Sequence, residues 1–270
     1  MALVLRAETP IPPSALDTGW KLWLYTNYDC NLTCKYCVAR SGPNVPRRAL
    51  PHATICRLVD EAADLHFEHV FLTGGEPFLL PDIYDSLAYS SSKLPTTVLT
   101  NATLLHHRRI DQLDAIRNDN LILQVSLDGA TPEAHDVYRG RGTWARTIAG
   151  IRALLDRGYR VRIGTTETPA NTEHIGELRA FLADLGIRPD DHFVRPLAKR
   201  GFSREGIELT LDDLVPELTV NIDGVYWHPL STEQDMLVSK TLFPLSASLD
   251  RIHELLADPD RARKPRCKFT

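Results

Sequence analysis

Three cysteines, Cys30, Cys34 and Cys37, lie close together at the spacing C-x3-C-x2-C. The stretch directly follows an apolar run typical of a strand, so we expect three thiolates on one side of a single turn. Full cysteine ligation of a [4Fe–4S] cluster takes four thiolates, and no fourth cysteine lies nearby. One iron would then keep a position for an exchangeable ligand, as a catalytic zinc does. The pattern therefore indicates a catalytic iron–sulfur cluster.

Zinc binding and unrelated buried thiols are the alternatives for these cysteines. A structural zinc site usually takes four protein ligands, commonly from paired cysteine or cysteine/histidine knuckles. The first further donor downstream is His52, which begins a predicted helix. The chain has five cysteines, an odd number that is not typical of a disulfide framework. Cys56 flanks the apolar stripe of the same helix, which favours a buried structural thiol.

Length and composition are those of an ordinary globular protein. The 270 residues suit one substantial domain with a small appendage, and 43% of them are hydrophobic. A net charge of −4 gives no general attraction to nucleic acid or to anionic membranes. The chain contains no apolar run as long as a spanning helix and no signal-peptide core. We therefore expect a cytoplasmic protein without nucleic-acid or membrane partners, and its oligomeric state is left open.

Strand-like and helix-like segments alternate along the chain after residue 20 and position the polar motifs. Strands that are each followed by a helix imply an α/β fold, a parallel sheet with right-handed crossovers. Polar residues follow the ends of these strands, where the functional groups of barrels collect. The predicted strands cover residues 21–26, 69–72, 96–100, 121–126, 160–166 and 192–197.

The cysteine spacing, with the aromatic Tyr36 before the last cysteine, resembles the radical S-adenosylmethionine (radical SAM) superfamily. Residues 74–77, Gly-Gly-Glu-Pro, resemble the GGEP motif of that family, and later segments match in order. The resemblance implies a partial (β/α)6 barrel, one [4Fe–4S] cluster on the three cysteines, and S-adenosylmethionine (SAM) chelating the open iron. It also implies reductive cleavage of SAM to a 5′-deoxyadenosyl radical that abstracts a hydrogen atom. An external electron donor, such as flavodoxin or ferredoxin, would be the partner.

The resemblance assigns SAM contacts to particular residues. In the family, the GGEP backbone and its acidic residue hold the SAM amino group. The end of the fourth strand faces the ribose and carboxylate; we favour Ser126 over Asp128 there, because Asp128 could instead tighten the following turn. Arg139 matches the arginine that reaches the SAM carboxylate, and Arg141 could substitute for it. Related sequences often carry Thr-Asn-Gly after the third strand, where this chain has Ala102. The residues predicted to contact SAM are Tyr36, Gly74, Gly75, Glu76, Asn101, Ser126, Asp128, Arg139 and, through its backbone to the adenine, Leu197.

The last part of the chain is predicted to be an extension of the barrel. Asp223-Gly224 between two apolar runs predicts a β-hairpin, and a helix follows. This rhythm resembles the SPASM/twitch extensions of the family, which carry cysteines for auxiliary clusters. Here only Cys267 follows, so we expect a single cluster and a redox-neutral reaction, such as epimerisation, elimination or rearrangement. Cys267 is then the candidate hydrogen-atom donor. The predicted domains are an N-terminal arm over residues 1–19, the barrel over 20–200 and the C-terminal extension over 201–270.

The substrate class is predicted from the start of the chain. Peptide-modifying relatives often carry a separate leader-binding domain, and only about twenty residues precede the first strand here. We therefore expect a small-molecule substrate, a polar metabolite such as a sugar, an aminoglycoside-like compound or a nucleoside. A peptide or protein substrate is the alternative, and a non-catalytic metal-binding module is the third. The barrel mouth is expected to be lined by Arg200, Arg204, Glu167 and His228.

Overall fold

The computed structural model describes residues 19–209, 214–230 and 232–256. Strands and helices alternate through the first of these ranges, as the sequence predicts. Cys267 and residues 1–18 of the predicted arm lie outside the described residues. The strands are β1 Lys21–Asn27, β2 His69–Gly74, β3 Thr96–Thr100, β4 Leu121–Ser126, β5 Val161–Glu167, β6 His192–Pro196, β7 Leu218–Asn221, β8 Gly224–Tyr226 and β9 Leu237–Ser239. The helices are α1 His52–Asp64, α2 Ile83–Lys93, α3 Arg108–Ala115, α4 Pro132–Arg139, α5 Thr143–Asp156, α6 Ile175–Asp184 and α7 Leu245–Leu256.

One nine-stranded sheet runs through the molecule in the order β6-β5-β4-β3-β2-β1-β7-β8-β9. Strands β1 to β6 are parallel and separated by helices, which confirms the predicted α/β fold with a partial (β/α)6 barrel. The hairpin of the extension continues this sheet, because β7 pairs in parallel with β1, Leu22 opposite Leu218. Strands β8 and β9 then add in antiparallel orientation. The strand that leads to the cysteines therefore has a neighbour on each side.

Alternation along the strands sorts the side chains onto two faces of the sheet. In β1, Leu22 and Leu24 are fully buried in the core that includes the helices. Trp23 and Tyr25 lie on the opposite face, which we call the lumen face, and Trp23 stacks on Phe71 with ring centres 4.1 Å apart. By strand register the lumen face of β1 to β6 also carries Thr73, Thr97, Leu99, Gln124, Ser126, Arg162, Gly164, Thr166, Phe193 and Arg195.

Several element boundaries differ from those predicted. Strand β2 runs on to Gly74, so the GGEP motif begins inside the strand rather than after it. The helix between β5 and β6 is preceded by a short 3-10 turn over Thr172–His174, and α6 begins at Ile175. Strand β9 has three residues, too few for an alternating pattern to predict it.

Among the described helices none is long and apolar enough to cross a membrane. The cytoplasmic location stays a prediction.

Candidate active site

The loop after β1 carries the three cysteines and is tied to the barrel through its backbone. Cys30 is buried, Cys34 and Cys37 are partly exposed, and all three are free thiols. The amide of Lys35 donates to a carbonyl of α4 at 2.8 Å, and the Cys37 carbonyl accepts from the amide of Phe202 at 3.1 Å. The loop is therefore held on either side of Tyr36 by two segments, one in α4 and one just after the predicted end of the barrel.

The surroundings of the thiols suit an iron–sulfur cluster. The backbone N–H groups of Leu32 and Ser41 donate to Sγ of Cys30 and Cys37, each at 3.4 Å. Hydrogen bonds to sulfur are one way in which proteins tune cluster potentials. Burial raises the pKa of Cys30 to about 12 and that of Cys34 to about 11. These thiols therefore need a bound cation to give up their protons, as metal ligands do.

A single metal ion does not fit the same residues. Within the described ranges, no group of three or more His, Cys, Asp or Glu side chains is arranged to hold one ion. A structural zinc would need four donors around one point. The zinc alternative therefore finds no ligand set in the described part of the chain. A cubane fits better, because each thiolate binds a different iron.

Gly74 and Gly75 lie where the end of β2 meets the start of the cysteine loop. A Cβ on Gly75 would lie 2.0 Å from the backbone oxygen of Asp29, and one on Gly74 would lie 2.3 Å from that of Asn27. The amides of Gly75 and Glu76 donate to the same two carbonyls, at 2.8 and 3.0 Å. Gly74 also has a φ of +135°, which favours glycine. The two glycines therefore allow two backbones to touch, and this contact positions the cysteine loop.

The Glu76 carboxylate is buried and joins the ends of β2 and β3. It accepts hydrogen bonds from the Thr100 hydroxyl at 2.8 Å, the Asn101 amide at 2.9 Å and the Phe78 amide at 3.2 Å. Burial raises the pKa of Glu76 to about 7, while these donors act in the opposite direction. The side chain predicted to hold the SAM amino group thus already has three protein partners. Its contact with SAM stays a prediction.

Asn101 connects the end of β3 to the cysteine loop. Its Nδ2 donates to Oδ1 of Asn31 at 2.9 Å and lies 3.9 Å from Sγ of Cys30. Its Oδ1 accepts from the amide of Thr103 at 2.9 Å and from the hydroxyl at 2.6 Å. The next residue, Ala102, has a left-handed φ of +59°, a conformation for which glycine is better suited. Asn101 therefore supports the cluster loop in this structure, and its predicted contact with SAM stays a prediction.

The Asp128 carboxylate binds two of the residues predicted to contact SAM, Tyr36 and Arg139, beside Cys34. Its carboxylate accepts from Nε of Arg139 at 2.6 Å, from the amide of Thr166 at 3.0 Å and from the Tyr36 hydroxyl. Asp128 is 1% and Arg139 7% exposed. Burial alone would lower the pKa of Arg139, but the charge of Asp128 raises it above its ordinary value. The cluster loop therefore has a fixed guanidinium beside it, a group well suited to binding a carboxylate.

Ser126 and Leu197 complete the predicted SAM contacts. Ser126 ends β4 on the lumen face and is partly exposed. Leu197 follows β6 and is 5% exposed. Its amide donates to the carbonyl of Glu167 at 3.0 Å, and its carbonyl accepts from the amide of Ile207 at 2.8 Å. Both backbone groups of Leu197 thus have hydrogen-bond partners within the protein, and its contact with adenine stays a prediction. The role of Ser126 also stays a prediction.

Two of the four residues expected at the barrel mouth are engaged with the extension. Arg200 pairs with Glu233 at 3.0 Å and with Asp235 at 3.3 Å. Glu233 also pairs with Arg40 of the cysteine loop at 2.9 Å. His228 is fully buried, and burial lowers its pKa to about 3. The other two expected residues remain partly or fully exposed.

The motifs in the sequence do not include the lumen-face residues that bind the extension to the barrel. The Tyr25 hydroxyl donates to the carbonyl of Pro229 at 2.5 Å. The indole N–H of Trp23 donates to the carboxylate of Glu217, also at 2.5 Å. The alternation in β1 predicts that Trp23 and Tyr25 share a face. The alternation does not indicate which later segment of the chain covers that face.

The fold and the cysteine loop together define a barrel enzyme built around an iron–sulfur cluster. The model of the Radical SAM superfamily matches residues 24–185. The chain therefore belongs to the radical SAM superfamily, as the cysteine spacing and the GGEP motif predict. Its cofactors are those of the family, a [4Fe–4S] cluster and SAM.

Similarity to individual curated proteins covers little more than half of the chain. AdoMet-dependent heme synthase of Methanosarcina barkeri is 34% identical over 159 residues, which is 58% of this chain and 45% of that protein. Antilisterial bacteriocin subtilosin biosynthesis protein AlbA of Bacillus subtilis is 33% identical over 165 residues, 59% of this chain and 36% of that protein. PqqA peptide cyclase of Ruegeria pomeroyi is 30% identical over 161 residues, 59% of this chain and 42% of that protein. The chain thus spans less than half the length of these relatives.

The solved structure of native anSMEcpe with bound AdoMet and Cp18Cys peptide shares the fold. Its TM-score is 0.66 at 13% sequence identity, covering 87% of this chain and 81% of that chain. The shared part is longer than the predicted barrel of residues 20–200, so it includes part of the extension. At this identity the likeness concerns the architecture alone.

Proposed function

We propose that this radical SAM enzyme modifies a peptide. The observation that carries the proposal is the set of curated relatives that align with more than half of this chain. One is named a peptide cyclase, and another is named for the biosynthesis of a bacteriocin. The solved structure with bound AdoMet and Cp18Cys peptide shares the fold alone, so the proposal depends on the curated relatives. A peptide substrate is therefore better supported than the small polar metabolite that the sequence analysis favours.

The expectation of a small metabolite depended on the short stretch before the first strand. The curated relatives are more than twice as long as the part of them that this chain spans. The start of this chain therefore does not bear on the substrate class. The heme synthase is named for a product that is not a peptide, so the experiment has to compare both classes of substrate.

The residues of this chain have separate tasks in the proposal. Cys30, Cys34 and Cys37 hold the cluster, and the glycine contact at β2 fixes their loop. Arg139, held in place by Asp128, receives the SAM carboxylate. When bound, the cluster and SAM together supply one-electron, hydrogen-abstracting chemistry. The lumen face holds the substrate at the carboxyl ends of the strands, where barrel enzymes bind their substrates.

The test compares two substrate pools with the anaerobically reconstituted, reduced full chain. One pool contains synthetic unmodified peptides, and the other contains sugars, nucleosides and aminoglycosides. We expect 5′-deoxyadenosine to rise above the substrate-free level with the peptide pool, together with a mass change in at least one peptide. A rise with the small-molecule pool alone would overturn the peptide assignment.

Two cysteine variants test the cluster. Cys34→Ala should lose both iron binding and SAM cleavage. Cys56→Ala is the matched control, because this thiol lies on α1, 3.4 Å from Nε2 of His52 and away from the loop. It should keep about four irons per chain, the content of one cubane. Cleavage of SAM by Cys34→Ala would contradict the assignment of the cluster ligands.

Cys267 remains the proposed hydrogen-atom donor for a redox-neutral outcome. The chain has one cysteine after Cys56, so a second conventional cluster cannot be built from its own cysteines. Cys267→Ala should then leave SAM cleavage intact and prevent formation of a redox-neutral product. Normal product from this variant would remove Cys267 from the reaction.

A further inference from the structure

Arg162 is a lumen-face guanidinium that the proposed chemistry does not use. It lies on β5 between Val161 and Ile163, both of which are buried in the core. Among the described residues its Nε is buried without a hydrogen-bond partner. Burial lowers the pKa of Arg162. A partly buried guanidinium with an unsatisfied N–H is unfavourable, unless a ligand completes its hydrogen bonds.

The carboxylate whose charge acts on Arg162 is bound to other arginines. Asp191 raises the pKa of Arg162, opposing the effect of burial. Its oxygens, however, accept from Nε and Nη2 of Arg160 at 3.0 and 2.7 Å and from Nε of Arg188 at 2.8 Å. Asp191 is 2% exposed. Asp191 therefore pairs with Arg160 and Arg188, and the N–H groups of Arg162 remain available to another acceptor.

Phe193 holds Arg162 in place and sets a second arginine beside it. The ring of Phe193 lies over Gly164, where an added Cβ would be 3.1 Å from the ring. The guanidinium carbons of Arg162 and Arg195 lie 5.2 and 4.6 Å from the centre of this ring. Guanidinium groups stack on aromatic faces, and stacking leaves the planar donors of Arg162 at the edge of the ring. The aromatic ring thus orients two cations on one patch of the lumen face.

The same face leads from this patch to the cofactor site. Thr166 follows Arg162 by four residues on β5, and its amide donates to Asp128 at 3.0 Å. At about 3.3 Å per residue, the two positions are about 13 Å apart along the strand. An extended peptide covers that distance with about four residues. The patch is therefore within reach of a peptide whose reacting residue lies at the carboxyl ends of the strands.

We infer that Arg162, with Phe193 and Arg195 beside it, binds a carboxylate of the peptide substrate. The carboxylate belongs to an Asp or Glu side chain or to the carboxyl terminus, about four residues from the reacting position. The fork of a guanidinium matches the two oxygens of a carboxylate, which makes this pairing selective against the neutral amide. The inference rests on the proposed peptide substrate, whereas its test needs neither SAM nor turnover.

The test measures binding of three small probes to the 15N-labelled full chain by NMR, followed at the backbone amide of Gly164. The N-acetyl α-amide of glutamate carries only a side-chain carboxylate, N-acetylglutamine carries only the α-carboxylate, and N-acetylglutamine amide carries neither. We expect saturable shifts with at least one carboxylate probe and none with the amide. The two carboxylate probes distinguish a side chain from a chain terminus.

Variants of neighbouring arginines make the result specific. Arg162→Gln should weaken carboxylate binding at least about tenfold, as expected for loss of a charge-assisted contact. Arg160→Gln is the matched control, directly before the same strand, and should bind as the unmodified chain does, because the guanidinium of Arg160 is already paired with Asp191. Should Arg162→Gln fail to fold, Arg162→Lys takes its place and should also weaken binding, since lysine lacks the fork.

Three results would overturn the inference. One is that neither carboxylate probe binds the unmodified chain. Another is that the neutral amide binds equally well. The third is that the Arg162 variant binds as tightly as the Arg160 variant, in which case Arg162 only covers Phe193. Because the probes need no reaction, each of these results is distinct from failure of the SAM-cleavage experiment.

Discussion

At the scale of single residues, the buried ion pair of Asp128 and Arg139 organises the rim of the cluster loop. The pair lies beside Cys34 and also binds the Tyr36 hydroxyl. A buried pair contributes little net stability compared with a well-packed apolar pair. Removing one partner is different, because the other charge is then buried without compensation. The main role of the pair is therefore to hold the Arg139 guanidinium in a fixed position.

We expect Asp128→Asn to lower the free energy of unfolding by about 3–5 kcal/mol, since it leaves the charge of Arg139 uncompensated in the interior. Urea denaturation at neutral pH measures this change. Glu133→Gln, an exposed acid in the first turn of α4, is the control and should change stability by less than about 0.5 kcal/mol. A loss below about 1 kcal/mol for Asp128→Asn would contradict a buried, uncompensated Arg139.

His135 predicts a dependence of stability on pH. It is fully buried, and its Nδ1 accepts from the amide of Asp128 at 3.2 Å, which requires an unprotonated nitrogen. Burial, followed by the charge of Arg139, lowers the pKa of His135 from 6.5 to about 4. Between these two pH values the unfolded chain binds a proton that the folded chain does not. The folded state therefore loses stability as pH falls through this window.

His135→Asn keeps an acceptor for the Asp128 amide and removes the titration. At 1.36 kcal/mol per pKa unit, the stability difference between the unmodified chain and this variant should shrink by about 3 kcal/mol from pH 7 to pH 4. Urea denaturation at several pH values measures the difference, in which the other histidines cancel. His106→Asn, at an exposed position, should show no such change. A pH-independent difference for His135→Asn would mean that His135 titrates normally.

At the scale of elements, the contact between β2 and the cysteine loop depends on Gly75. A methyl group there would meet the backbone oxygen of Asp29, which cannot move as a side chain can. We expect Gly75→Ala to destabilise the chain by about 1–3 kcal/mol, the usual range for overpacking. It should also reduce the iron bound after reconstitution, because the loop has to shift. Thermal denaturation and iron analysis measure the two effects.

Gly176→Ala is the matched control for this substitution. Gly176 lies in α6, and nothing lies within 4 Å of the position of an added Cβ. The same chemical change should therefore stabilise the chain by about 0.4–1 kcal/mol and leave iron binding unchanged. If both alanine variants bind iron equally and melt alike, Gly75 does not position the loop.

The sequence predicts the barrel elements well because each signal is local. Strands β3 and β4 begin and end at the predicted residues, and the apolar stripe of α1 is buried as expected. The motifs mark the strand ends only approximately, since β2 runs on into the first glycine of the GGEP motif. What the sequence does not predict is pairing at long range. Nothing in the hairpin pattern indicates that β7 joins β1 in parallel.

The same limit applies to the site. The spacing of the cysteines and the glycines is a local signal, so these residues were predictable. Local reasoning assigns Asp128 to the following turn, because its hydrogen bond from Tyr36 spans 92 residues and the one from Arg139 comes from another element, α4. The sequence gives no local signal for Arg162, since its neighbour Phe193 belongs to another strand.

At the scale of the whole molecule, β1 is shared by the barrel and the extension. Leu22, Trp23 and Leu24 are at most 1% exposed, with β2 on one side and β7 on the other. The extension also reaches the lumen face, through Glu217 on Trp23. The strands before and after residue 200, the predicted boundary, therefore belong to one continuous sheet.

A chain that ends at residue 200 tests this boundary, which is otherwise a prediction from the sequence. The truncation removes β7, so it exposes an edge of β1 beside Trp23, and unpaired apolar edges promote association. We expect the shortened chain to aggregate and to show no cooperative thermal transition, whereas the full chain unfolds in a single transition. Size-exclusion chromatography with light scattering and circular dichroism measure these properties.

A chain that ends at residue 256 is the control and should behave as the full chain does, because it keeps every described strand and helix. A monomeric, cooperatively melting chain of residues 1–200 would instead establish the barrel as an independent domain.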